Sequence, residues 1–181
     1  MSAVSAVTCS KENLMDLNLH DIHADSIALA LDRARQYRSL MEPEIAESIC
    51  LDILNIEPEN QTALVVYILA LTDQISISGS QSPFQDIDTA ISKLTSEYQQ
   101  LYYTGIVLER RARFMLTQPM SRAFAYDYFI KALLCYQQAE QIRPEQNDEA
   151  TLRWNSCVRT IQREKLEPLS ESDQIIMSRE S

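Results

Sequence analysis

The stretch His20-Asp21-Ile22-His23-Ala24-Asp25 sets two imidazoles three residues apart, with carboxylates at Asp16, Asp21 and Asp25 around them. On a helix His20 and His23 share a face, a spacing at which two nitrogens can ligate one ion. Zinc takes three or four ligands, and the chain has no third histidine. The expectation is therefore no metal site, and an exposed entry to the first helix with Asp25 near its positive end. The four cysteines, Cys9, Cys50, Cys135 and Cys157, have neither the spacing of a metal site nor that of a disulfide framework. Cys50, Cys135 and Cys157 fall in apolar helical patterns, where cysteine behaves as a small hydrophobe. Buried thiols are expected at Cys50 and Cys135, in a reducing, cytoplasmic setting. Glu145, Asp148 and Glu149 sit where a helix begins, and capping explains them. Glu109 beside Arg110 has no evident substrate. No catalytic constellation and no cofactor site is expected.

Arginine is the remaining chemistry. Arg110, Arg111 and Arg113 form one cluster, and Arg153, Arg159 and Arg163 another. Two readings stand: solvated helix faces, or a local basic groove for an acidic peptide. The formal charge of the whole chain is −10, and its negative excess lies in residues 1–100. Phosphate neutralisation needs a basic surface, so nucleic-acid binding is not expected. Glycine occurs only at Gly79 and Gly105, which argues against phosphate-cradling loops and turn-rich β folds. Hydrophobic residues make up 45% of the 181, enough for a core. No run approaches the roughly 18 apolar residues that span a bilayer, and the N-terminal stretch lacks a basic n-region. No membrane association is expected.

The elements that must position these residues are helices. Prolines at 43, 58, 83, 119, 144 and 168 separate apolar-periodic runs, and proline in a helix interior costs about 3 kcal/mol or more. The pattern predicts an all-α protein with about seven helices, over roughly 25–41, 44–56, 61–76, 86–97, 98–117, 121–142 and 147–165. Asp25 or Ser26 is the expected cap of the first. Residues 1–24 read as a flexible N-terminal segment and 166–181 as a polar tail. Trp154 is expected in the core on the stripe 154, 157, 158 and 161. The aromatic-rich runs Tyr102-Tyr103 and Ala123–Phe129 are expected to pack between repeats before they serve a surface.

One pattern occurs twice. Ala46, Cys50, Ile53 and Pro58 are repeated in spacing by Ala132, Tyr136, Ala139 and Pro144. A small residue, a bulky or soft one four on, a small or apolar one three on and a closing proline resemble the second helix of the tetratricopeptide repeat, a 34-residue helical hairpin. On that resemblance the repeats cover about 27–60, 61–97 and 98–146, with 147–165 as the closing helix. Ala34 and Gly105 are the small crossing residues of the first helices, while the middle repeat is degenerate. The two prolines lie further apart than two repeat units allow, so the extra residues fall in the stretches around SISGSQSPFQ and LTQPMSRAF.

The resemblance implies antiparallel hairpins stacked into a short right-handed superhelix, with first helices lining a concave groove. Its function would be non-enzymatic binding of a peptide or partner protein. Leu31, Arg35, Arg38, Val65, Leu69, Thr72, Tyr102, Ile106 and Glu109 are the expected groove residues. They suit apolar anchors with an acidic flank. The lysine and asparagine set that grips a C-terminal carboxylate is absent. Other readings are a small acidic secretion-chaperone-like protein, an α-helical oligomerisation subunit, and, less favoured, a helical enzyme or small-molecule sensor.

Overall fold

The computed structural model describes residues 17–78, 84–118 and 122–168. Among these residues a 3-10 turn, Ala24–Ser26, leads into seven α-helices: α1 (Ile27–Ser39), α2 (Pro43–Ile56), α3 (Gln61–Ser78), α4 (Phe84–Ser92), α5 (Glu97–Thr117), α6 (Arg122–Gln141) and α7 (Glu149–Glu164). No strand occurs among the described residues. The protein is all-α.

Local chemistry sets most boundaries. Pro43 occupies the first turn of α2, where its missing N–H is not needed. The Asn60 side chain accepts the Ala63 amide at 2.9 Å and caps α3. Ser26 precedes α1 without a side-chain cap bond, so the expected capping there is not made. The fourth helix ends at Ser92, five residues before its expected end. A break at 93–96 follows, and Ser96 starts α5 by accepting the Gln99 amide. The serine three residues before a glutamine carries that signal. Asn147 accepts the Glu149 amide at 2.9 Å ahead of α7. At the other end Lys165 is left-handed (φ 49°), and the Leu166 amide turns back to the Ile161 carbonyl.

Each helix packs on the next, and α1 also meets α3 as α3 meets α5. The two repeated stripes do the same work in α2 and α6. Ala46, Cys50 and Ile53 are fully buried in α2, and Ala132, Tyr136 and Ala139 in α6. Ala34 is sealed against α2 and α3 in a cluster with Ala46, Cys50, Val66 and Ala70. In the C-terminal half, Phe129, Ala132 and Tyr136 of α6 pack with Tyr102 and Ile106 of α5 and Cys157 of α7. Gly105 is where α5 passes α6. A Cβ there would come within 2.5 Å of the Tyr136 ring, so only glycine fits this crossing as built. Trp154 is half-buried against the same cluster. Cys135 differs from expectation: it is half-buried, because the buried stripe of α6 runs 132, 136 and 139 and position 135 sits at its edge.

Candidate functional site: a tyrosine and arginine face on α1, α3, α5 and α7

Two ion clusters tie the odd-numbered helices together. Asp73 of α3 accepts from Arg38 of α1 at 2.8 Å and from Arg110 of α5. Glu109 of α5 is 1% exposed. It accepts from the Arg113 guanidinium at 2.8 Å and from the Tyr136 hydroxyl of α6 at 2.8 Å, and Arg153 of α7 lies 3.7 Å away. Arg113 also donates to Ser156 at 3.0 Å and to Thr160 at 3.3 Å, both on α7. Each carboxylate therefore sits between two arginines drawn from different helices or turns. A buried carboxylate needs such partners, because charge moved from water without them is costly.

The surroundings move several ionisable groups. Burial, and then the charge of Glu109, hold the Tyr136 hydroxyl far above its usual value. Burial, with Glu109 beside it, pushes the Cys157 thiol up to about 12. Burial works against the charge of Arg153, but the Glu109 carboxylate and the Tyr102 hydroxyl outweigh it and hold that guanidinium above its usual value. These groups are held in the protonation states they have at neutral pH.

Two hollows lie side by side along the contact of α5 with α7. One of about 210 Å³ is lined by Tyr98, Tyr102, Tyr103 and Pro144, with Asn147 and Glu149 at its edge. The other, of about 300 Å³, lies between Tyr102, Glu149, Leu152, Arg153 and Ser156. Tyr98 and Tyr102 stack at 5.8 Å, and Tyr103 meets Tyr102 edge-on at 5.2 Å. The Tyr98 hydroxyl donates to Asn147 at 3.0 Å and fixes the rim. Burial pushes the Tyr98 and Tyr103 hydroxyls up to about 12, so both stay neutral donors.

The residues expected to line a groove divide into three sets. Thr72, Tyr102, Ile106 and Glu109 are buried; Thr72 bonds the Leu69 carbonyl, and Tyr102 keeps only an edge on the two hollows. Leu31, Val65 and Leu69 are half-buried in apolar clusters. Arg35 is exposed and paired with Asp32, and Arg38 is engaged with Asp73. The expected residues therefore lie one step too deep: most of their side chains hold helices together. The more open positions beside the hollows are Tyr103, Leu152, Arg153 and Ser156, which the expected lining omits, while Tyr98 is as buried as Tyr102. The signal that would have found them is α7, whose residues 149, 152, 153 and 156 face α5 at helical spacing.

His20 and His23 are exposed, and Asp16 lies outside the described residues. Among the described residues no group of three or more His, Cys, Asp or Glu side chains is placed to hold a metal ion. Nor is any helix among them long and apolar enough to cross a membrane. Compared with protein-family models, curated proteins and solved structures, the chain matches none.

Proposed function

We propose that the protein is a non-enzymatic interaction module of the tetratricopeptide type, which takes a partner protein or peptide on the face formed by α1, α3, α5 and α7. The observation that carries this reading is the pair of arginine–carboxylate–arginine clusters. Arg38, Asp73 and Arg110 hold α1, α3 and α5 side by side, and Glu109 with Arg113 and Arg153 brings in α7. First helices fixed in register give a rigid surface, so little ordering is lost when a partner docks. The hollows on this face are small and shallow, and the buried carboxylate beside them is fully engaged with Tyr136 and two arginines. That favours recognition over catalysis. The free thiols Cys50, Cys135 and Cys157 suit a reducing, cytoplasmic setting.

Affinity capture from the native host tests the reading. A partner should be retained by the wild-type chain and by Leu134→Glu on the far side of α6, and lost with Leu152→Glu. Loss with Leu134→Glu and retention with Leu152→Glu would place the binding surface elsewhere.

A second reading, an oligomerisation subunit, is favoured by one observation. Among the described residues, seven of the ten exposed large apolar side chains lie in the first part of the chain: Leu17, Leu19, Leu29, Leu40, Met41, Ile45 and Leu51. Ile22, Leu29, Ala30 and Ile49 also line an apolar hollow of about 280 Å³. Exposed apolar surface of this kind suits burial against another chain. Sedimentation of the full chain over a range of concentrations distinguishes the two readings. A monomer throughout removes the second.

A further inference from the structure

We infer that the partner segment is acidic: its carboxylates meet the arginines of α5 and α7, and one apolar side chain enters the hollow lined by Tyr98, Tyr102 and Tyr103. This rests on the reading of the face as a binding surface and adds the chemistry of what it binds.

The charge on the face is opposite to that of the chain. Arg38, Arg110, Arg113 and Arg153 meet across it. Arg159 and Arg163 continue the stripe that Leu152 and Ser156 begin on α7, at three- and four-residue spacing. The carboxylates that answer them are Asp73, Glu109, Glu149 and Glu164. Six arginines against four carboxylates leave a surplus of two positive charges, on a chain whose formal charge is −10. Around Glu109 and Glu164 the carboxylate is the deeper partner: the Glu109 side chain is 2% exposed against 37% and 38% for Arg113 and Arg153, and that of Glu164 29% against 67% for Arg163. In the Asp73 cluster all three side chains are equally deep, at 20%, 21% and 19% for Asp73, Arg38 and Arg110. The positive charge that points outward is that of Arg113, Arg153 and Arg163.

The arginines are also held in place. Ser156, Thr160 and Glu109 fix the Arg113 guanidinium. Tyr102 and Glu109 hold that of Arg153. A guanidinium fork carries five donors in a fixed plane, so one already oriented by its own protein loses less freedom on taking a carboxylate. Beside these donors the stacked tyrosines and Pro144 form the apolar wall of a hollow of about 210 Å³ whose other lining is polar, from Ser96, Gln99, Asn147 and Glu149, with room for a leucine or proline side chain. Leu152, 65% exposed, borders the neighbouring hollow. A basic segment would meet repulsion here. A nucleic acid would meet the same arginines and could stack on the tyrosines. Its phosphates would, however, extend beyond the face into the field of an acidic protein.

The test is fluorescence anisotropy on the full chain. The probe is a labelled peptide of about 12 residues, glutamates around a central Leu-Pro, at about 50 mM and about 300 mM salt. Its lysine counterpart and an oligouridine of similar length are compared. The glutamate peptide should bind at least about tenfold more tightly than either, and several-fold more weakly at the higher salt. Arg159→Glu with Arg163→Glu should weaken it about tenfold, and the milder pair Arg159→Ala with Arg163→Ala should weaken it in the same direction. Lys131→Glu on α6 should leave it unchanged. Equal or tighter binding of the lysine peptide or the oligouridine, or indifference to both arginine pairs, overturns the proposal. If the glutamate peptide fails to bind while partner capture still depends on Leu152, the acidic chemistry falls and the binding face stands. If neither depends on this face, both fall.

Discussion

Replacing Gly105 by alanine tests the packing that holds the candidate face. An ideal Cβ at this position would lie 2.5 Å from Tyr136 Cε1, 2.8 Å from Cδ1 and 3.0 Å from Cζ. Carbon atoms in contact prefer about 3.5–4.0 Å. The ring has nowhere to go: Tyr136 is fully buried, its hydroxyl is bonded to Glu109, and Tyr102 stands 6.1 Å away, centroid to centroid. The helices must therefore separate, and overpacking of this kind costs about 1–3 kcal/mol. Alanine in a helix interior is itself better than glycine by about 1 kcal/mol. With three ring atoms at or inside 3.0 Å, the overpacking term sits in the upper part of its range, and the net loss should be about 1–2 kcal/mol. In a Tyr136→Leu background the ring is gone and only the helix preference remains. There Gly105→Ala should be neutral, or stabilising by up to about 1 kcal/mol. Urea denaturation followed by far-ultraviolet circular dichroism on the four proteins gives the coupling directly. The reasoning is refuted if Gly105→Ala stabilises the wild type. It is equally refuted if the change is the same in both backgrounds within about 0.5 kcal/mol.

The fully buried Ala132 leaves no room beside α5, so Ala132→Leu should cost about 1–3 kcal/mol, while the exposed Gln138→Leu stays within about 0.5 kcal/mol; urea midpoints decide between them. Glu109→Leu strands the buried Tyr136 hydroxyl, whereas the half-exposed arginines can rehydrate. The expected loss is about 1–3 kcal/mol, and Tyr136→Phe in the same chain should recover part of it; no recovery would mean the hydroxyl is not the group left unpaired. Cys50 and Cys157 are both pushed up to about 12 from 9.0, first by burial. An unfolded thiol ionises near 9 while the folded one keeps its proton, so this stability is present below pH 9 and is lost as pH rises toward 12. The slope is up to about 1.4 kcal/mol per pH unit for each thiol. Thermal melts across that range should show a shallower fall for Cys157→Ala than for wild type, and identical slopes would contradict the burial.

The helices and their order were legible because helical periodicity and proline act locally. Ala46, Cys50 and Ile53, and likewise Ala132, Tyr136 and Ala139, announced two packing faces, and both are buried. Gly105 was legible for the same reason, since a small residue in an apolar stripe marks a crossing. The α4–α5 break was read too late because Ser96 lies inside an almost continuous helical pattern, and only its cap separates the two helices. The candidate face was less legible. Periodicity tells which side of a helix is apolar, but not which residue of a distant helix it meets. Asp73 joins partners 35 and 37 positions away, and Arg113 reaches side chains 43 and 47 away. Those pairings turn Glu109 and Tyr102 from groove surface into interior, and they leave the open positions to Leu152, Arg153 and Tyr103. Nor did the arginine clusters declare their use. Arg110 and Arg113 belong to different ion networks although they are three residues apart.

The central claim is that a partner docks on the α1, α3, α5 and α7 face. Site-specific photo-crosslinking in the native host tests it most directly, with a photoreactive residue placed in turn at Leu152, Arg159 and Tyr103, and at Leu134 and Gln138 on the opposite side of α6. The account predicts a discrete crosslinked species from the first three positions and none from the last two. A species that forms from Leu134 or Gln138 and not from the first three would contradict it.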